Sequence, residues 1–325
     1  MVWAASGARI ATSVHGVVAG LSYRILTKRT LPSDLSKMDT PGPVSVIIGT
    51  YNDANIIEAT LAAFAVQSFR DFELVLADDG SDQDYGPVLT AWASHFAHGI
   101  QHVTQHKRGF RKARVLNRAI IVSRFDPLIV SDMDCLPHRD FVRNHLAYVE
   151  PGIAITGRRT HVSRDVVPSP EKILEGGLGF GALSLIGFRL MGKARIVEHG
   201  FVSPILYESH NRRLHGSNFS VCRQDIEAVN GWNEEFEGWG DEDSDLGLRL
   251  QHSGVRIRNL RNKVIQFHLL HDRLPMVNPR NEVLFQRTRV ERTKMAGIGI
   301  AESNAAEFAV RRYGAAECAS TSTNC

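Results

Sequence analysis

The sequence predicts an α/β fold, Rossmann-like in plan, with a mostly parallel central sheet flanked by helices. Three observations predict it. Short β-branched runs alternate with helical periods between residues 44 and 130. Three of these runs end in acidic, turn-forming clusters. Hydrophobic residues are 43% and charged residues 22% of 325 positions, which suits a soluble protein with a substantial core.

The elements follow in order. Thr40-Pro41-Gly42-Pro43 reads as a linker. Val44-Ser45-Val46-Ile47-Ile48 is a buried strand ending in the turn-rich Gly49-Thr50-Tyr51-Asn52-Asp53. Ile56, Ile57, Leu61, Phe64 and Ala65 share a helical face, so 54–67 is a helix. Phe72 to Ala77 forms a second strand, stopped by Asp78-Asp79-Gly80-Ser81. A helix around 85–97, a third strand over 100–104 and a helix from Phe110 to Ser123 come next. Pro127-Leu128-Ile129-Val130 is a further strand and ends at Ser131-Asp132-Met133-Asp134.

In a parallel α/β sheet, ligands sit beyond the carboxyl ends of the strands. The clusters TYND, DDGS and SDMD all fall at such ends. One aspartate there would be an ordinary turn residue. Three acidic clusters on one edge repel one another and call for a cation or hydrogen-bond donors between them. A hard divalent ion with a nucleotide diphosphate supplies both.

The densest acidic feature comes later, in Trp239-Gly240-Asp241-Glu242-Asp243-Ser244-Asp245. Crowded carboxylates raise one another's pKa and suit general-base work, and a neighbouring tryptophan offers a flat face to a sugar ring. The same run could be no more than the acidic first turn of a helix, since Leu246, Leu248 and Leu250 follow.

Between these regions the pattern loosens. Residues 163–205 are irregular and glycine-rich, with Leu178, Phe180, Leu183, Leu185, Ile186, Phe188, Leu190 and Met191 interspersed. A mobile lid, an acceptor-side segment, a membrane-facing surface and a packed helix all fit. Gly187 to Ala194 approaches the phosphate-binding P-loop, but Ala194 stands where a metal-binding hydroxyl is required. The last fifty residues predict a helix and then a low-complexity tail, Ala315 to Cys325, expected to be disordered.

Net charge is +3, too small to argue for a nucleic-acid partner. Arg9, Arg24, Lys28, Arg29 and Lys37 against Asp34 and Asp39 place this excess in residues 1–40. Ile10, Val14, Val17, Val18, Leu21 and Ile25 fit one face of a helix, so this arm is expected to be amphipathic and able to touch an anionic membrane surface. The cysteines, Cys135, Cys222, Cys318 and Cys325, show no metal-binding or disulfide spacing, which favours a reducing cytoplasm. No apolar run is long enough to span a bilayer.

The motifs SVIIGTYND, FELVLADDGS and VSDMD resemble the nucleotide-sugar-binding half of the family 2 glycosyltransferases, which have the GT-A fold. FRKARVLNRAI, LIVSDMDCLPH, GSNFSVCRQDIEAVNGW and EGWGDEDSDLGLRL are similar to the beta-1,4-galactosyltransferases and their bacterial relatives. The resemblance covers roughly residues 43–280 and divides the chain into an N-terminal arm (1–40), a nucleotide-sugar half (41–160), an acceptor and catalytic half (161–280) and a C-terminal helix with its tail (281–325).

The resemblance implies roles by position. Thr50, Tyr51, Asp53 and Asp79 belong to the nucleoside side of a UDP-sugar site, with Asp132 as a sugar or ribose contact. Lys112, Arg114 and Asn117 align with a helix lining the donor site. Asp134 and His271 match metal ligands, and His268 replaces a methionine that also approaches the ion, which suits Mn²⁺ better than Mg²⁺. Trp239, Gly240 and Asp241 match the acceptor side, and Asp243, with Glu242 beside it, matches the catalytic base. The implied activity is inverting, metal-dependent transfer of a hexose or N-acetylhexosamine from a UDP-sugar to a hydroxyl of a glycan or lipid-linked glycan. Two alternatives stand beside it: a noncatalytic carbohydrate- or nucleotide-sugar-binding protein, and a nucleotidyltransferase, whose Gly-rich nucleotide loop is missing.

Overall fold

The structure is a computed structural model and describes residues 14–18, 21–25, 42–195, 207–209, 213–271, 278–303 and 305–314. At the N-terminus, β1 (Val14–Val18) and β2 (Leu21–Ile25) pair antiparallel, with Val18 opposite Leu21. This corrects the amphipathic helix expected over Ile10 to Ile25. Val14, Val17, Val18 and Ile25 are β-branched, stiff at χ1 and better suited to a pleated strand than to a helix. Ile10, Lys28 and Arg29 lie outside the described residues.

The expected alternation follows: β3 (Val44–Thr50), α1 (Ala54–Ala65), β4 (Phe72–Asp78), α2 (Gly86–Trp92), β5 (Ile100–Gln105), α3 (Lys112–Val122) and β6 (Leu128–Asp132). β3 is parallel to both β4 and β6, and β4 to β5. Successive strand residues point to opposite faces, and the core divides accordingly. Val44, Val46, Ile48, Leu74 and Leu76 pack with Ile57, Leu61 and Phe64 of α1. Ile47, Val75, Ala77 and Val130 pack with Val115, Leu116 and Ile120 of α3 on the other face. Both faces are therefore covered, which is why these strands read as continuous apolar runs. Full burial of each such aliphatic side chain contributes roughly 1.5–3 kcal/mol.

The chain continues through β7 (Cys135–Pro137), α4 (Phe141–Leu146), β8 (Ile153–Thr156), β9 (Arg159–Val162), α5 (Pro170–Gly176), α6 (Ala182–Leu190), β10 (Ala194–Arg195), β11 (Tyr207–Ser209), β12 (Asn218–Val221) and α7 (Arg223–Ala228). It ends with α8 (Glu242–His252), β13 (Arg256–Arg261), β14 (Gln266–Leu269), α9 (Pro279–Glu291) and β15 (Phe308–Tyr313). The main sheet has nine strands in the order β11-β13-β8-β12-β6-β3-β4-β5-β15. β12 is antiparallel to both its neighbours and joins β8 and β13 to the parallel block β6-β3-β4-β5. A second sheet, β10-β9-β14-β7, runs beside the end of β6.

Two segments resolve open readings. The glycine-rich stretch contains the short helices α5 and α6, and Leu183 and Leu190 of α6 are 87% and 83% exposed. No helix among the described residues is long and apolar enough to cross a membrane. The edge strand β15, which shields β5, has no counterpart in the sequence reading. The tail from Ala315 lies outside the described residues.

α8 is anchored by a buried ion pair. Arg249 Nε donates to Asp245 Oδ2 at 2.8 Å, Thr288 of α9 donates to Asp245 Oδ1 at 2.6 Å, and Arg249 also holds the Val229 and Gly231 carbonyls. Removing one partner leaves the other charge buried and uncompensated. Arg249→Leu should therefore lower the unfolding free energy by about 3–5 kcal/mol in urea titration, and a loss below about 1 kcal/mol would contradict this role for the pair.

Candidate active site

Strand register brings the acidic clusters level. Thr50 stands opposite Asp78, and Gly49 opposite Asp132. At the end of β4, Asp78 accepts from the Ser81 N–H and hydroxyl at 2.8 and 2.6 Å and pairs with His102 at 3.1 Å. Asp79 accepts from the Arg111 N–H at 2.6 Å and from Gln105 at 2.5 Å. Burial nevertheless pushes its carboxyl above the usual range, because these bonds only partly offset desolvation. The Tyr51 ring is 46% exposed, with Lys107 5.9 Å from its centre. The hydroxyl of Thr50 is buried without a partner. Asp53 faces Arg164 at 3.4 Å; burial raises its pKa, Arg164 opposes this, and Asp134 raises it further.

At the end of β6 the two aspartates take different partners. Lys112, the first residue of α3, lies 2.6 Å from Asp132 Oδ1. Burial disfavours its charge, yet Asp132, Asp243 and Glu242 outweigh that and hold the ammonium firmly protonated. Asp134 Oδ2 lies 3.0 Å from His268 Nε2 and 3.1 Å from His271 Nε2. Burial pushes the Asp134 carboxyl up, but these two imidazoles overcome it and hold the group well below the usual range. The second sheet produces this meeting: β7 starts one residue after Asp134, and β14 pairs with it so that His268 stands opposite Cys135. On the other side His268 is level with His161 of β9, and their Nδ1 atoms are 3.2 Å apart.

The acidic run approaches from a strained loop. Gly238, Gly240 and Asp241 have φ of 76°, 115° and 67°, a conformation in which a non-glycine residue is uncommon. Asn281 of α9 donates to the Gly240 carbonyl at 2.8 Å and holds the loop in place. α8 then begins at Glu242, so the run is both a helix start and part of the cleft. Trp239 is 40% exposed. Asp241 faces Arg213 at 3.8 Å; burial and then Glu282 raise its pKa. Glu242 is buried, accepts from the Gly240 N–H at 3.1 Å, and is pushed up to about 7 by burial and then by Asp243. Asp243 Oδ1 accepts from Trp232 Nε1 at 3.1 Å.

Some predicted residues do not join this cluster. Asn117 is fully buried: its amide donates to the Trp232 carbonyl and Glu234, and its oxygen accepts from the Trp232 N–H. Arg114 pairs with Glu234 and Glu307. Both face away from Lys112, because residues two and five positions on lie about 200° and 140° around a helix. Asn117 instead locks Trp232, which in turn holds Asp243. Sequence reasoning missed Trp232 and Gly216. A Cβ on Gly216 would lie 1.8 Å from Asp243 Oδ2, so only glycine leaves room for that carboxylate. Trp232 and Gly216 both lay inside a quoted motif, but nothing in their spacing marks their approach to Asp243.

Asp134, His268 and His271 offer one oxygen and two nitrogens, all within 4.8 Å of one another. Convergent imidazoles on a single carboxylate oxygen fit a divalent transition ion, and these three residues would hold it. The alternative set Asp132, Asp134 and Cys135 is less suited, because burial and then Asp134 push the Cys135 thiol well up.

Comparison with known proteins agrees with this geometry. Residues 45–203 match the family described as Glycosyl transferase family 2, and residues 199–272 match the N-terminal domain of galactosyltransferase. The chain is 23% identical over 301 residues to the chondroitin synthase of Escherichia coli, covering 82% of this chain and 43% of that protein. It is 29% identical over 224 residues to the validoxylamine A glucosyltransferase of Streptomyces hygroscopicus subsp. jinggangensis, covering 65% of this chain and 52% of the relative. Among solved structures, S. aureus TarS superposes with a TM-score of 0.53 at 16% identity, covering 80% of this chain and 41% of that one. GalNAc-T7 with UDP, GalNAc and Mn²⁺ gives 0.57 at 14% identity, covering 77% and 48%. These neighbours share the GT-A fold.

Two outcomes follow from the site geometry. Gly216→Ala should fold but displace Asp243, lowering turnover about 10²-fold, as expected for misplacement of a reacting group by about 1 Å; unchanged turnover would show that Asp243 position is immaterial. Glu242 holds a proton when folded that the unfolded chain has released between about pH 4.5 and 7, so stability falls as pH rises through that window. Glu242→Gln removes this dependence. Its unfolding free energy should gain on the order of 2–3 kcal/mol on wild type between about pH 4.5 and pH 8, and parallel pH profiles would refute the shift.

Proposed function

From the premise that the chain belongs to the family 2 glycosyltransferases, we propose that it is an inverting, metal-dependent hexosyltransferase. It takes a hexose or N-acetylhexosamine from a UDP-sugar and places it on a hydroxyl of a glycan or lipid-linked glycan. One observation carries the reading. The aspartates after β6 divide between Lys112 and a two-histidine donor set, while Asp243 is held by Trp232 on the same cleft. Neither a binding module nor a nucleotidyltransferase requires that division. GalNAc-T7 solved with UDP and Mn²⁺, and S. aureus TarS 1-349 solved with UDP-GlcNAc, support the choice of donor and ion.

Asp134, His268 and His271 would hold a divalent ion, which would supply positive charge to the leaving diphosphate. The chain supplies the rest. Tyr51 and Asp79 receive the nucleoside, one with an aromatic face and the other with a carboxylate for ribose hydroxyls. Burial pushes the Asp132 carboxyl up, and Lys112 opposes this and adds charge beside the leaving group. Trp239 stacks on the acceptor sugar. Trp232 occupies one oxygen of Asp243, which leaves the other to take the proton from the acceptor hydroxyl as it attacks the anomeric carbon. Glu242, pushed up to about 7 and so still partly protonated near neutral pH, limits repulsion at Asp243. A single base suffices, because direct displacement forms no covalent enzyme intermediate.

A cytoplasmic site of action accords with the buried, unpaired Cys135 and Cys222. Contact with an anionic membrane would rest on the basic residues of the N-terminal arm and the exposed Leu183 and Leu190 of α6, since β1 and β2 form a hairpin in place of the expected helix.

Asp243→Asn should keep UDP binding and lower transfer by about 10²–10⁴-fold in a screen of UDP-sugars with Mn²⁺. Retention of more than a few per cent of turnover would remove Asp243 from the role of base. EDTA should abolish transfer and Mn²⁺ restore it, whereas full activity in EDTA would exclude metal-dependent transfer.

A further inference from the structure

Behind the two-histidine cluster lies a second, differently charged cavity. It encloses ≈ 200 Å³ and is lined by Arg158, Arg159, His161, Arg195 and His215. Liquid water occupies about 30 Å³ per molecule, so the space holds several waters or one charged substituent. Among the described residues the lining contains no carboxylate. Among the described residues none of the three arginines forms an ion pair, and the buried Nε of Arg158 has no partner. The Nε2 of His215 is likewise buried without a partner. Burial, followed by the charges of Arg158, Arg159 and Arg213, pushes His215 down to about 4, against a smaller opposing effect of Asp243.

The cavity adjoins the reacting centre. Burial disfavours the Arg159 charge while Cys135, Asp132 and Asp134 favour it, His161 meets His268 at 3.2 Å, and His215 senses Asp243. Yet it adds three guanidiniums where the leaving group is already met. The diphosphate of a nucleotide sugar carries one charge per phosphorus, and a divalent ion with Lys112 would oppose that charge. Guanidinium forks match carboxylate and phosphate oxygens.

We propose that Arg158, Arg159 and Arg195, with His161 and His215, bind an anionic group, a carboxylate or phosphate, that a sugar substrate carries in addition to the nucleotide diphosphate. The group belongs either to the donor sugar or to the acceptor glycan. The inference rests on the assignment of the diphosphate to the side of Asp134 and Lys112.

Calorimetry on the full chain, saturated with Mg²⁺ and UDP, tests it with glucuronate and inorganic phosphate as probes and glucose as the neutral control. At least one anion should bind saturably alongside UDP, and glucose should not. Arg158→Gln with Arg195→Gln should weaken that binding at least about tenfold, the loss expected for a charge-assisted contact, while UDP affinity changes less than about twofold. Arg195 is exposed, so Arg195→Gln alone, checked by thermal melting, provides a variant that folds. The source is read with donors. Tighter binding of UDP-glucuronate than of UDP-glucose, erased in the variants, assigns the group to the donor; equal donor affinities with retained binding of the free anion assign it to the acceptor. Failure of both probes to bind, displacement of the probe by UDP, or equal loss of UDP affinity in the variants would overturn the proposal. Failure of wild type to bind UDP at all would instead overturn the transferase reading, and the probes can still be titrated without UDP.

Discussion

Like charge gathered on one sheet edge must be neutralised, and the rest of the site is arranged around that constraint. Asp78, Asp79, Asp132 and Asp134 stand at the ends of strands whose register is fixed by burial on both faces. None of them can retreat into solvent without disturbing the sheet. The second sheet brings His268 and His271 onto Asp134, α3 brings Lys112 onto Asp132, and backbone and amide donors satisfy Asp79. Asp243 is the exception: an indole N–H holds it and no cation lies on it in an ion pair among the described residues. A neutral partner fixes the direction of a carboxylate without neutralising it, which is what a base requires.

The sheet and its acidic ends were largely legible in the sequence. β3, β4 and β6 are buried runs closed by turn residues, and α1 and α3 have clear helical periods. The pairing of Asp134 with two histidines about 135 residues later was legible only through the family resemblance, because β7 and β14 meet by tertiary pairing. β15 was missed because Phe308, Val310 and two arginines form a weak alternating edge signal rather than an apolar run. Val14, Val17 and Leu21 of the N-terminal hairpin satisfy a helical spacing, while the β-branching of Val14 and Val17 favours the strand.

Site assignments failed where helix phase decides orientation. Lys112, Arg114 and Asn117 lie on one helix, but only Lys112 reaches the carboxylates; Asn117 works from behind, through Trp232. Gly216 could not be recognised as necessary, since its demand is for empty space beside a residue 27 positions away. Both are positioning effects, and sequence spacing carries no record of them.

The account rests on Asp243 as a single base in a direct displacement. The configuration of the new glycosidic bond tests this most directly, read by proton NMR during turnover of an α-linked UDP-sugar. A β-linked first product is the expected result. An α-linked product would mean retention, by double displacement or by attack on the leaving-group face, and would contradict the single-base mechanism built on Asp243 and Trp232.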